Sequence, residues 1–408
     1  MKQQRIYPQA VVTPKAQRAL LEGHPWVYDT EVLRAPEAAN GSIVDVVSTK
    51  GRYLGSGFLS VHSKIRIRVF SRSANDIFDE IFWRRRLSHA WEYRKTVLDD
   101  VSCCRIIFGE ADLFPGLTVD RFGPLLVTQT LCVGIERLKG VLFPLLVQLL
   151  REDGQEIAGL YERNDAALRL REGLAEGKGW FDLSALGLKT PENCRTQIAE
   201  NGVRYDVDVE NGQKTGFFLD QRYNRQAVAR MAQGKTVLDC FTHTGSFALN
   251  AARGGAKRVT AVDISADAVE MAKRNAALNG AAEKVSCVQG NVFELLPQLA
   301  QSGSPYDFIV LDPPAFTKSR RTAPDALRGY KEINYRAMKL LPRGGYLATC
   351  SCSHFVTDAM FRAMLADAAH DAGVQLRQIE ARQQSPDHPV LWGVPETAYL
   401  KFYLFQVI

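Results

Sequence analysis

Two cysteines, Cys350 and Cys352, stand two residues apart in TCSCSHF (349–355), among hydroxyl residues at the end of the apolar run GYLATCS (345–351). A cysteine is usually a small buried hydrophobe, but as a thiolate at a ligand site it is a nucleophile. A second apolar run, YDFIVLD (306–312), ends in LDPPAF (311–316). Its two prolines fix an extended turn poor in hydrogen bonds, from which the carbonyls of Asp312 and Pro313 can point at a planar base while Phe316 stacks on it. A rigid strand exit would explain the prolines but not the acid and the aromatic beside them.

Three further runs end in small or polar residues. VLDCFTHTGSFAL (237–249) contains Asp239 and a turn at Thr244, Gly245 and Ser246, where backbone can approach a ligand at a helix N-terminus. It carries one glycine where a dinucleotide fingerprint carries three, so a plain strand-to-helix turn remains open. RVTAVDI (258–264) ends near Asp263, whose carboxylate can accept two hydrogen bonds from ribose hydroxyls. KVSCVQG (284–290) is followed by Asn291, an amide able to read an adenine edge. Each acid or amide is also a good helix cap. Taken together, three adjacent strand ends describe an adenosine pocket better than three unrelated caps do.

The elements that must position these residues follow a regular rhythm. From about residue 200 onward, apolar runs alternate with helical stretches such as SADAVEMAKRNAALNG (265–280), and VQLRQIE (374–380) and KFYLFQVI (401–408) complete a set of seven strands with KTVLDCF (235–241). That pattern predicts a doubly wound parallel sheet, in which ligands bind at the carboxyl ends of the strands. The expected fold class is therefore α/β, with smaller domains ahead of it. SIVDVVS (42–48), YLGSGFLS (53–60) and KIRIRVFS (64–71) read as short strands of a small β-barrel, after a helix over 14–22. Residues 76–97 read as helical, and RIIFGE (105–110), PLLVTQTLCVG (124–134) and an apolar helix over 136–151 form a mixed middle region. The boundaries expected are 1–74, 75–190 and 191–408.

The charge is unevenly distributed. The chain of 408 residues carries +6, and residues 1–72 hold 11 Lys or Arg against five Asp or Glu, so the remainder is neutral as a sum. In KIRIRVFS, period two puts Lys64, Arg66 and Arg68 on one face and Ile65, Ile67 and Val69 on the other. A basic sheet face of this kind suits a polyanion, with a solvated surface as the bland alternative. The eight cysteines are scattered, without a C-x-x-C pair or zinc spacing, which suits free thiols in a reducing cytosol and no metal centre. No secretory h-region opens the chain, and the most apolar stretch, GVLFPLLVQLL (140–150), is far shorter than the roughly 20 residues of a membrane span. A soluble cytoplasmic protein is expected.

A thiolate facing an adenosyl pocket has a specific use. Cytosine C5 is too weak a nucleophile to take a methyl group directly, and addition of a thiolate to C6 makes C5 enamine-like, able to attack a sulfonium methyl. A base then removes the C5 proton and the thiolate leaves.

At these residues the chain resembles the PUA-domain, S-adenosylmethionine-dependent methyltransferases of the ribosomal RNA large subunit methyltransferase I type, which form 5-methylcytosine in 23S rRNA. The resemblance rests on HPWVY (24–28), FGEADLFPGLTVDRFG (108–123), ENGQKTGFFLDQR (210–222), VLDCFTHTGSFAL, LDPPAF, RGYKEIN (328–334), SCSHF and SPDHPV (385–390). It implies an N-terminal PUA domain that binds RNA, a central α+β domain and a C-terminal Rossmann-like domain that binds S-adenosylmethionine. It also implies that Cys352, the middle of the family's S-C-S triplet, is the nucleophile, and that Gln213 helps close the cofactor site. Asp312 is read as holding the base edge, with base catalysis as a further role. Many 5-methylcytosine enzymes carry a second cysteine right after the proline following strand four, and Asp312-Pro313-Pro314-Ala315 has none. Two alternatives stand beside this reading: methylation of an exocyclic amine without covalent catalysis, and RNA binding without catalysis.

Overall fold

The computed structural model describes residues 5–303, 306–317 and 319–408. The chain forms two compact units, one of Met1–Ile198, Val207–Leu219 and Pro386–Thr397, the other of Ala199–Asp206, Asp220–Ser385 and Ala398–Ile408.

The first unit contains a six-stranded and a five-stranded sheet. Alternation in KIRIRVFS produces the strand Ile65–Ser71, which pairs antiparallel with Trp26–Tyr28 and with Tyr53–Leu59. Ile67 and Val69 turn inward and are buried, as period two demands. The helix Pro14–Leu21 starts where Thr13 accepts a hydrogen bond from the Ala16 amide and Pro14 takes the first turn. Helical periodicity visible from residue 76 becomes helix only at Glu80–Val97, because Asp79 caps it by accepting from the Phe82 amide. The strands Cys103–Phe108, Leu117–Phe122, Leu125–Thr130, Gly159–Asn164 and Gly177–Trp180 make the second sheet. The helix Val133–Glu152 approaches the first sheet closely enough that a Cβ on Gly134 would lie 2.2 Å from the Phe58 ring. Phe58, Phe70, Phe82, Trp83 and Phe114 fill the space beneath it.

The second unit is built on seven strands, numbered here β1 (Thr236–Cys240), β2 (Arg258–Asp263), β3 (Val285–Gln289), β4 (Phe308–Leu311), β5 (Tyr346–Ser351), β6 (Leu376–Arg382) and β7 (Lys401–Val407). Their order across the sheet is β3-β2-β1-β4-β5-β7-β6. The first five run parallel, and β7 runs antiparallel to both β5 and β6. This departs from the wholly parallel sheet expected from the strand and helix rhythm. A parallel return requires a crossover of a dozen or more residues, usually helical, and residues 383–400 contain no α-helix among those described. The chain therefore turns back on β6.

The central strands are buried on both faces. Leu238, Ile309, Leu311 and Leu347 are solvent-inaccessible and pack with Tyr330, Phe361 and Leu365 from the helices Ala323–Leu340 and Asp358–Ala372. With the order reversing between β1 and β4, the carboxyl ends of those two strands flank the topological switch point, where such sheets bind ligands. No described helix is long and apolar enough to cross a membrane.

Candidate active site

The exit from β1 is unusual backbone. Phe241, His243 and Gly245 all have positive φ, at 65°, 50° and 81°. Two of them are not glycine, a conformation that persists only where the surroundings enforce it and that clusters at ligand sites. Gly245 precedes the helix Ser246–Arg253, and a Cβ there would approach Ala272 to 3.2 Å. The tightness of the turn thus explains this glycine. Behind the loop Asp239 is fully buried, its Oδ2 accepting from the Thr242 hydroxyl at 2.5 Å and the Ala248 amide at 2.9 Å. Burial pushes this carboxyl up to about 7, with Asp312 and Asp263 adding to the rise against its two donors. Its Oδ1 and the Thr244 hydroxyl are buried without a hydrogen-bond partner among the described residues. A buried carboxyl oxygen and a buried hydroxyl left without partners mark a place for a ligand carrying hydrogen-bond donors.

Asp263 at the end of β2 closes the other side. Its two oxygens accept from the His243 and Ser265 amides, each at 2.9 Å, which fixes the half-buried carboxylate over the β1 loop with lone pairs to spare. Burial lowers His243 to about 4, so its imidazole is neutral. Asn291 is engaged differently from the adenine-reading role. It caps the helix Val292–Ser302, with Oδ1 accepting from the Phe293 amide at 3.1 Å and Nδ2 donating to Glu294 at 2.9 Å. One N–H and one lone pair are what its amide still offers.

The ends of β4 and β5 meet beside this pocket. Leu311 pairs with Thr349, so Asp312 and the residues following Thr349 emerge together. Gln221 donates to Asp312 Oδ1 at 2.9 Å and is itself held by Asn224 at 2.6 Å. Burial, with the Asp220 carboxylate next, pushes Asp312 up to about 6. Tyr399 donates to Asp220 at 2.6 Å. Gln221 and Asp220 lie in ENGQKTGFFLDQR, but nothing in their spacing points at Asp312.

The two cysteines separate here. The sequence puts them on one strand face if the strand runs through both, yet β5 ends at Ser351. Cys350 is fully buried against Asp312 and Gln221, and burial followed by the Asp312 charge holds its thiol well above the ordinary range. Cys352 lies beyond the strand in the turn, partly exposed, with its Sγ 4.0 Å from the Pro313 carbonyl oxygen. Phe316 differs from the open stacking platform expected of it. Its ring packs on Tyr330 at 4.5 Å and Phe293 at 5.9 Å, so it braces the wall of the turn and is only partly exposed.

The first unit holds the remaining candidates. Lys64 is exposed, and Arg66 donates to the Ser60 carbonyl at 2.8 Å. Arg68 does not belong to an open basic face. It pairs with Glu110 at 3.4 Å and the buried Glu172 at 3.2 Å and lies over the Trp26 ring, because the 3-10 turns Gly109–Asp112 and Ala167–Glu172 each present an acid to it. Gln213 is exposed in the turn after Asp208, with its carbonyl accepting from the Gly216 amide at 2.9 Å.

Comparison with known proteins agrees with this architecture. Residues 182–406 match the S-adenosylmethionine-dependent methyltransferase family, and residues 10–72 match the PUA-like domain. A Klebsiella pneumoniae protein named Ribosomal RNA large subunit methyltransferase I is 38% identical over 407 residues, covering 99% of both chains. A protein of the same name from Pseudoalteromonas translucida is 40% identical over 394 residues, covering 96% of this chain and 97% of its own. Among solved structures, a protein from Streptococcus mutans described as a SAM-dependent methyltransferase superposes with a TM-score of 0.79 at 21% identity, covering 98% of this chain and 100% of its own. Another, described as a methyltransferase and complexed with SAH, gives 0.81 at 20% identity with the same coverage. At that identity the likeness concerns fold.

The residues present fit S-adenosylmethionine. Asp263 suits ribose hydroxyls, while the orphaned Asp239 oxygen and Thr244 hydroxyl suit the cationic, donor-rich amino-acid end. The chain belongs to the ribosomal RNA large subunit methyltransferase I family of S-adenosylmethionine-dependent methyltransferases.

Proposed function

We propose that the protein methylates C5 of a cytosine in 23S ribosomal RNA through a covalent adduct between Cys352 and cytosine C6. The observation that carries this reading is the contrast between two neighbouring thiols: Cys350 is sealed beneath Asp312, while Cys352 is partly exposed at the switch-point end of the sheet, beside the Asp312-Pro313 turn. The names of the relatives support a large-subunit ribosomal RNA as the polymer. S-adenosylmethionine, when bound, supplies an electrophilic sulfonium methyl group.

The residues of the chain divide the work. Asp239, Thr244, Gly245 and Asp263 hold the cofactor, with Asn291 at the adenine end. The Cys352 thiolate forms the S–C6 bond and the C5=C6 electron pair moves to C5, which becomes the nucleophile; the methyl group would come from S-adenosylmethionine, whose S–CH3 bond would break to leave S-adenosylhomocysteine. Asp312 takes up the C5 proton as S–C6 breaks and the double bond returns. Before that transfer the Asp312 carboxylate also holds the base edge. Phe316 braces the turn on which the base lies. In the three-part division at 1–74, 75–190 and 191–408 the PUA-like domain has the task of gripping RNA.

Lys64 and Arg66 are the cations of that strand left to serve RNA, which sharpens a mutational expectation. Lys64→Ala flattens the salt dependence of RNA binding by about one phosphate contact and leaves thermal stability unchanged. Arg68→Ala instead leaves Glu172 buried and unpaired, costing about 3–5 kcal/mol of stability, with little change in salt slope for the folded fraction. Thermal melts alongside filter binding at several salt concentrations separate the two.

The function itself is tested by bisulfite sequencing of 23S rRNA from cells lacking the protein. One cytosine is expected to lose its protection, and an unchanged map would overturn the proposal.

A further inference from the structure

KFYLFQVI is apolar along nearly its whole length, yet it opens with Lys401. In the structure that lysine begins β7 directly opposite Ser351, the last residue of β5, and is 8% exposed. Burying an ammonium is expensive unless its donors and charge are both answered. The donors are answered completely. Nζ donates to the carbonyls of Ser353 at 2.6 Å, Val356 at 2.8 Å and Tyr399 at 2.8 Å, which uses all three N–H groups. The charge is not, since Lys401 makes no ion pair among the described residues. Two of its three acceptors belong to the loop that starts at Cys352.

We propose that Lys401 is the positioning residue of the nucleophile: it pins the 352–356 loop through Ser353 and Val356, and its charge stabilises the Cys352 thiolate. This rests on Cys352 being the nucleophile. The Cys352 side chain lies within electrostatic range of Nζ, and a thiolate there supplies the counter-charge that the carbonyl cage lacks. Burial lowers Lys401 to about 8, so the cation is present at neutral pH and fades just above it.

Other titratable groups face the same site. Asp358, from the helix Asp358–Ala372, favours the charged lysine and accepts from Tyr403. Tyr330 and Cys350 lie within range of Cys352, with Asp312 behind them, and the His354 ring lies 5.5 Å from that of Tyr399. Asp312 and Asp358 oppose a thiolate and Lys401 favours one, so the charge of Lys401 has a resolvable effect.

The test is the pH dependence of iodoacetamide alkylation in the full-length chain, read on the Cys352 peptide by mass spectrometry. In the parent, the Cys352 midpoint is expected below the ordinary thiol value of about 8.5. Lys401→Met is expected to raise it by about one unit and to slow alkylation at pH 7 about tenfold, with cofactor affinity changed less than about threefold. Lys401→Arg should restore part of the effect. A purely structural lysine would move cofactor affinity and melting temperature but not the midpoint. An unchanged midpoint in a folded Lys401→Met chain overturns the proposal. Should that variant fail to fold, Lys401→Gln repeats the test, and a parent midpoint at or above the ordinary value overturns it as well. Failure of the covalent reading is distinguishable: Cys352→Ala would then keep its turnover while the alkylation shift persisted.

Discussion

Cys352→Ala is expected to lower turnover by at least about a thousandfold while S-adenosylmethionine affinity stays within a factor of about two. The asymmetry follows from geometry. Cys352 lies outside the strand in a turn beside Pro313, whereas the cofactor residues Asp239, Thr244 and Asp263 sit at the ends of β1 and β2. Removing the sulfur abolishes activation of C5 and touches none of those contacts. Cys350→Ala is the matched control. Its thiol is buried and held far above the range in which it ionises, so its loss opens a small cavity and costs stability rather than chemistry. Comparable kcat losses for both variants would mean that neither thiol is the nucleophile. Single-turnover kinetics with equilibrium cofactor binding measures both quantities.

Asp312→Asn is expected to lower kcat by about 10²–10⁴-fold, the usual value of a positioned acid or base. Asparagine keeps the oxygen that accepts from Gln221 and removes only the ability to gain and lose a proton. In the parent the rate should fall on the acid side as pH drops through about 6, where burial and Asp220 set the carboxyl. The stability consequence has the opposite sense. The folded-state value lies above the carboxylate's ordinary value of about 3.9, so the contribution to stability is full below that value and is lost as pH rises through about 6. At pH 8 the ionised Asp312 is a liability, and Asp312→Asn should melt at the same temperature as the parent or higher. Asp239, raised to about 7, carries a similar burden. A variant that is as stable as the parent at pH 8 and far slower would be the signature of a carboxylate kept for chemistry. An acid limb that survives in Asp312→Asn would assign the titration to another group.

Much of this site was legible because strand ends in a doubly wound sheet are both predictable and functional. Asp239, Asp263, Asp312 and Cys352 each follow an apolar run, and the fold gathers such positions at one edge. What local pattern could not show was partnership between distant segments. Arg68 alternates with aliphatics just as Lys64 and Arg66 do, but Glu110 and Glu172, far along the chain, decide that it is a partly buried ion pair. Phe316 looked like a stacking platform until Tyr330 occupied one of its faces. The antiparallel β7 depends on the absence of a crossover helix, and Lys401 looked like the polar edge of an apolar strand because its three acceptors lie on other segments. The division between Cys350 and Cys352 turned on where β5 ends, a boundary that periodicity does not resolve.

Incubation with S-adenosylmethionine and a 23S rRNA fragment carrying 5-fluorocytosine interrogates the covalent route itself. Fluorine at C5 cannot leave as the proton does, so the S–C6 bond persists once the methyl group has been transferred. A cross-link stable to denaturation, with the methylated fluorocytosine attached to the Cys352 peptide and absent from Cys352→Ala, is the predicted result. Turnover of the unmodified fragment without any trapped adduct, or an adduct on the Cys350 peptide, would contradict it.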